Sequence, residues 1–335
     1  MNIDELKSVA TSLVLKSKGI LAADESTGTI EKRLTNIGII STEQSRRDWR
    51  ELLFTTIGIG DYISGVILFD ETIRQTCSDG RSMVQVLQEN NVIAGIKVDK
   101  GAKLLSGASG ETVTEGLDGL RDRLNEYREL GAKFTKWRAM ISITDSTPTQ
   151  YCLNVNAHAL ARYAALSQEA GLVPIVEPEV LMDGSHDINR CLAVTKATLT
   201  VVFKELRAQN VMLEGILLKP NMVISGKESL NRANAKEVAD ATLRCFQSCV
   251  PTSVPGIVFL SGGQTDEDAT INLNAINKRT GEFPWEMSFS YGRGLQATPL
   301  KIWAGKAENI KEAQDSLLVR AKLTSAARDG NYLNR

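Results

Sequence analysis

Short apolar runs recur along the whole chain, and longer stretches with apolar positions every three or four residues separate them. The runs are Gly19–Ala23, Ile63–Phe69, Val92–Val98, Ala132–Trp137, Leu172–Val176, Val211–Leu218, Gly256–Leu260 and Met287–Tyr291. The longer stretches include Gly116–Leu130, Asn156–Ala170, Asp187–Gln209, Ala233–Val250 and Asp266–Asn277. Short apolar runs with polar bounds read as buried strands, and the three-to-four spacing reads as amphipathic helix. Strand and helix in alternation predict an α/β fold, a single-domain (β/α)8 TIM barrel spanning 1–335. An open doubly wound sheet is the alternative, but no Gly-x-Gly-x-x-Gly turn follows the first strand. Ile3, Leu6, Ala10, Leu13 and Val14 predict a helix over about 2–18, and a short extension over about 328–335 closes the chain.

Each apolar run gives way to polar residues. The ends read Asp24-Glu25-Ser26, Asp70-Glu71, Lys97 with Asp99, Lys136 with Arg138, Glu177 with Glu179, Lys219, Ser261-Gly262-Gly263, and Gly292-Arg293. In a barrel these carboxyl-terminal ends share one face, where active sites are built. Alternate strand residues point the same way, so Lys136/Arg138 and Glu177/Glu179 each place both charges on one side. The pattern predicts a charged cavity at the barrel mouth. An internal ion-pair lattice of purely structural use is the competing explanation.

Composition narrows the partners. With 39 basic and 40 acidic residues the net charge is −1, so no global field draws the chain to nucleic acid or membrane. No apolar run approaches a membrane span, and the acidic start Met1-Asn-Ile-Asp-Glu does not resemble a targeting peptide. Five cysteines without a Cys-x-x-Cys pair predict a reducing, cytoplasmic setting. His158 and His186 are too few and too far apart for a histidine-based zinc site, so no metal is expected.

Lys219, between Leu218 and Pro220, is the sharpest chemical signal. An ammonium at a buried strand end loses hydration, and a lysine brought to roughly pKa 7–8 attacks a ketone to form a Schiff base. Taken alone, a lysine that reaches out to solvent from a strand end is the favoured reading. Its company decides: Lys97, Lys136, Arg138 and Arg293 with Asp24, Glu177 and Glu179 would share the space. Ser261-Gly262-Gly263 and Gly292-Arg293 end the last two strands, where barrels commonly bind phosphate. Ser26, Thr29 and Lys97 could hold a second anion across the mouth. Two phosphates with a ketone between them describe a sugar bisphosphate.

Seven segments carry a resemblance to class I fructose-1,6-bisphosphate aldolase. They are Ala22–Gly28, Gly95–Gly101, Lys136-Trp137-Arg138, Val173–Glu179, Leu217–Met222, Phe259–Gln264 and Phe289–Arg293, and the similarity extends over about 10–330. The resemblance implies reversible cleavage of fructose 1,6-bisphosphate to dihydroxyacetone phosphate and glyceraldehyde 3-phosphate. The reaction would serve glycolysis, gluconeogenesis or carbon fixation, with no cofactor beyond a covalent lysine imine. It matches Lys219 to the Schiff-base lysine, Glu177 to the acid/base of dehydration and Asp24 to the carboxylate that takes the C4-hydroxyl proton. Lys136 matches a lysine at the reacting carbons, and Glu179 would position Lys219. Ser261, Gly262, Gly292 and Arg293 match the C1-phosphate site. Ser26, Thr29 and Lys97 match the C6-phosphate side, with Arg138 helping. The resemblance also implies a homotetramer. Many family members run on to a terminal tyrosine that assists proton exchange. This sequence ends at Arg335, so removal of Leu333–Arg335 is expected to change turnover little.

Three rival functions share these residues. One is a Schiff-base aldolase of another sugar phosphate, or a transaldolase. The second is a metal-dependent aldolase, and the third a non-catalytic scaffold of the same fold.

Overall fold

The computed structural model of the chain describes residues 2–279 and 283–333. Eight parallel strands close into a barrel: β1 (Gly19–Ala22), β2 (Ile63–Leu68), β3 (Ile93–Lys97), β4 (Phe134–Ile141), β5 (Val173–Val180), β6 (Leu217–Leu218), β7 (Gly256–Phe259) and β8 (Glu286–Tyr291). Each pairs with its chain neighbour, and β8 returns to β1 through Ile20 opposite Ser290. The (β/α)8 expectation therefore holds. A small antiparallel hairpin, Ala102–Leu104 with Thr112–Thr114, stands outside the barrel.

Helix α1 (Ile3–Leu13) shuts the amino-terminal end. Its Leu6, Ala10 and Leu13 are buried and cluster with the inward residues Ile20, Phe134, Val173, Ile175, Leu217 and Val258. The helix stops short of the expected residue 18. Ser17 takes a left-handed backbone (φ 61), which turns the chain into β1. The Phe134 ring occupies the space over Gly95, where an added Cβ would lie 2.3 Å from ring atoms. That close approach requires glycine in β3.

Two strands run well past the apolar runs that predicted them. β4 continues to Ile141 and β5 to Val180, beyond the expected Trp137 and Val176. Their outward residues Trp137, Ala139, Ile141, Val176 and Val180 stay buried beneath the helices, while the inward partners turn charged. The apolar run ends there, but the strand does not.

Val211–Leu218 is not one strand. Leu213–Gly215 forms a helical turn and only Leu217–Leu218 join the sheet. The even-numbered residues of β5 face β6, as the Lys219 N–H to Val176 carbonyl bond shows at 2.8 Å. Pro174 and Pro178 stand on that side without an N–H to donate, so the β5–β6 ladder is short.

At the carboxyl end, the helix Ile310–Arg328 leads to Tyr332, whose N–H donates to Asn274 Oδ1 at 3.0 Å. Residues 334 and 335 of the expected extension lie outside the described residues.

Candidate active site

Inward positions change character along each strand. β4 turns Phe134 into the apolar plug, then Lys136, Arg138 and Met140 into the mouth. β5 does the same with Val173 and Ile175, then Glu177 and Glu179. Leu217 gives way to Lys219, Ile20 to Asp24, and Ile93 to Lys97. Period-two alternation thus carries these charged side chains into the same carboxyl-terminal cavity. The cavity measures about 490 Å³.

All the residues expected at the site line this one cavity: Asp24, Ser26, Thr29, Lys97, Lys136, Arg138, Glu177, Glu179, Lys219, Ser261, Gly262, Gly292 and Arg293. Asp70 and Glu71, the second strand end, do not. They open a four-residue helix directly after β2 and pair outward with Arg74 and Arg46.

A chain of opposite charges runs through the cavity floor. Lys219 Nζ lies 3.3 Å from Glu177 Oε1, Glu177 Oε2 lies 3.5 Å from Lys136 Nζ, and Lys136 Nζ lies 2.6 Å from Asp24 Oδ2. Lys219 and Glu177 are each only 3% exposed, so water screens these contacts little. Glu177 Oε2 accepts no hydrogen bond from any described residue, so Lys136 meets it as an ion pair only.

Burial alone would raise the Asp24 carboxyl. The Lys136 and Lys219 ammonium groups, the contact to Lys136 and the charge of Lys97 outweigh it and bring the pKa down to about 2. For Lys136, burial opposes the ammonium, but Asp24, Glu177 and Asp99 prevail and raise its pKa above the lysine norm. Lys136 therefore stays charged. Burial lifts Glu179 above the usual carboxylate range against the pull of Arg138, its ion-pair partner. Since Glu179 pairs with Arg138, any hold it has on Lys219 acts through charge rather than contact.

Two walls suit anions. Gly262 takes a left-handed backbone (φ +55), and the Arg293 guanidinium donates to its carbonyl, tying the two glycine-bearing strand ends together. Gly292 starts the helix Arg293–Trp303 with no capping side chain. Opposite, Ser26 starts α2 (Thr27–Thr35), and its side chain makes no capping bond, its Oγ instead lying 3.1 Å from Thr29 Oγ1. The first N–H groups of both helices have no acceptor within the helix, the arrangement that binds oxyanions.

In the sequence Glu25 figured only as part of the first strand end, and Arg33 and Ser290 were missed. Glu25 is buried and receives Arg33 and Gln296 on Oε1 and Arg50 on Oε2, a knot that sets the start of α2 beside the cavity. Arg33 lines the wall itself; its position four residues after Thr29 on one helix face was the available signal. Ser290 points inward, buried, with no described partner for its Oγ, and its parity within β8 could have shown it. Among the described residues no three His, Cys, Asp or Glu side chains meet in a group able to hold a metal ion. No described helix is long and apolar enough to cross a membrane.

Comparison with known proteins gives one family throughout. A family model described as fructose-bisphosphate aldolase class-I matches residues 5–335. The chain is 54% identical over 333 residues to a probable class 1 fructose-bisphosphate aldolase of Xanthomonas campestris, covering 99% of each. It is 52% identical over 328 residues to a cytosolic fructose-bisphosphate aldolase of Arabidopsis thaliana, covering 98% of this chain and 84% of the relative. A solved structure of fructose-bisphosphate aldolase from Plasmodium falciparum, in complex with TRAP and a small-molecule inhibitor, superposes with a TM-score of 0.97 at 48% identity. That likeness covers 99% of this chain and 96% of the other.

Proposed function

The chain belongs to the class I fructose-bisphosphate aldolase family, and we propose that Lys219 carries the family's imine chemistry here. The enzyme is an aldehyde-lyase that splits fructose 1,6-bisphosphate reversibly into dihydroxyacetone phosphate and glyceraldehyde 3-phosphate through a lysine Schiff base. The observation that carries the residue assignment is the unbroken contact chain Lys219–Glu177–Lys136–Asp24.

The Lys219 amine attacks the C2 ketone and forms a carbinolamine. Glu177, beside that nitrogen, donates the proton with which the C2 hydroxyl leaves as water. The resulting iminium draws electrons from the C3–C4 bond. Asp24 takes the C4-hydroxyl proton as that bond breaks, so C4 departs as the aldehyde of glyceraldehyde 3-phosphate. Protonation of the enamine at C3 and hydrolysis of the imine release dihydroxyacetone phosphate and restore Lys219. Lys136, kept charged by both carboxylates, stabilises oxygen charge at the reacting carbons. Glu179 orders Arg138 and the charges around Lys219.

Ser261, Gly262, Gly292 and Arg293 would hold the C1 phosphate through open N–H groups and one guanidinium. Ser26, Thr29 and Lys97, with Arg138, would hold the C6 phosphate. No metal or organic cofactor enters this scheme. The family's sugar phosphates are the proposed partners. A cytoplasmic homotetramer is proposed from the resemblance and from relatives named cytosolic.

Borohydride reduction in the presence of dihydroxyacetone phosphate, with peptide mass mapping, tests the nucleophile. A stable adduct on Lys219 is expected; an adduct on another lysine would overturn the assignment. Cleavage is expected to persist in excess chelator. A rate that falls and returns with a divalent metal would overturn the metal-free reading.

A further inference from the structure

Asp99 stands two residues beyond Lys97 at the cavity wall, and no step of the reaction uses it. It is 7% exposed and fixed from both sides. Its Oδ1 accepts the Gly101 N–H at 3.1 Å and lies 2.8 Å from Lys97 Nζ, while Oδ2 accepts the Arg138 N–H at 3.3 Å. The Asp99 backbone carbonyl accepts a hydrogen bond from Lys97 Nζ at 2.9 Å. Thus one residue holds the ammonium by an ion pair and a hydrogen bond, and is itself tied to the backbones of two segments. The ammonium keeps N–H donors for an oxyanion in the cavity.

A lysine has a flexible four-carbon stem, and ordering it for each binding event carries an entropic cost. A side chain already ordered avoids most of that cost. We infer that Asp99 is a positioning residue that holds Lys97 as a clamp for the distal phosphate and so sets the preference for a bisphosphate over a 1-phosphate. The inference rests on Lys97 belonging to the distal phosphate site. Two effects oppose each other here, because the Asp99 charge also repels phosphate. The experiment must separate anchor from charge.

The readout is the ratio of kcat/KM for fructose 1,6-bisphosphate to that for fructose 1-phosphate, which lacks the distal group. Asp99→Ala removes the carboxylate partner of Lys97 and its charge together, and leaves only the backbone carbonyl. It is expected to lower the ratio about tenfold, the scale of one charge-assisted contact. Asp99→Asn keeps a carbonyl acceptor for Lys97 and loses the charge, so its ratio falls only about twofold to threefold by the same scale. A ratio unchanged in both variants, with both substrates declining together, would assign Asp99 a purely structural role and overturn the inference. A ratio that rises would make it a repelling charge, with the same consequence. Should Asp99→Ala fail to fold, Asp99→Asn alone decides on the same terms. Lys97→Met tests the underlying site. If it leaves the ratio unchanged, the distal assignment of Lys97 fails. If it lowers the ratio while the Asp99 variants do not, only the Asp99 inference fails.

Discussion

Replacing Asp24 by Asn separates carbon–carbon cleavage from imine formation. The wild-type carboxylate is 8% exposed and has Lys136 at 2.6 Å, with a pKa brought down to about 2. At pH 7 it is ionised in all but roughly one molecule in 10⁵, so the proton acceptor is always present. The same low pKa makes it a weak base for as long as Lys136 stays in contact with it. Each pKa unit regained amounts to about 1.36 kcal/mol of basicity. An amide has no such acceptor, and losing a positioned general base costs about 10²- to 10⁴-fold. Cleavage should therefore fall at least about 100-fold, or about 2.7 kcal/mol of barrier. Lys219 and Glu177 contact each other at 3.3 Å without Asp24, so imine formation should survive. Quenching the variant with borohydride during turnover of fructose 1,6-bisphosphate should trap the intact hexose bisphosphate on Lys219. Cleavage retained within about tenfold of wild type, or only a triose adduct in the trap, would refute the division of labour.

The low Asp24 pKa also links its charge to stability. Because the folded value is depressed from 3.8 to about 2, its contribution is complete above pH 4 and vanishes as pH falls through about 2. The contribution is on the order of 2 kcal/mol, so the gap in unfolding free energy between wild type and Asp24→Asn should narrow by that order between pH 5 and pH 2. A gap that stays constant in urea titrations at the two pH values would count against the depressed value. At the other end of the barrel, Gly95→Ala places a methyl 2.3 Å from the Phe134 ring. It should cost about 1–3 kcal/mol and lower Tm by several degrees, and an unchanged Tm would show that the ring has room to move.

Much of this was legible in the residues because the relevant physics is local. Side-chain parity in a strand depends only on the backbone pleat, so Lys136 with Arg138 and Glu177 with Glu179 fell on one face before any fold was known. Where the reading failed, the deciding partner was distant in sequence. The charged inward residues of β4 and β5 looked like strand ends, because only a closed barrel gives them a wet interior while Trp137 and Val180 stay dry outside. Val211–Leu218 looked like one apolar strand, yet its ladder depended on donors that Pro174 and Pro178 of another strand lack.

The order of apolar runs and polar ends by itself determined a parallel barrel with its chemistry at one rim, since period and turn composition are properties of neighbouring residues. Which ammonium meets which carboxylate belonged to the tertiary structure alone. Lys136 reaches Asp24 and Glu177, and Glu179 meets Arg138 rather than Lys219, because barrel closure and strand register set those distances. Charge interactions fall off with separation in space, and separation along the chain carries no information about them.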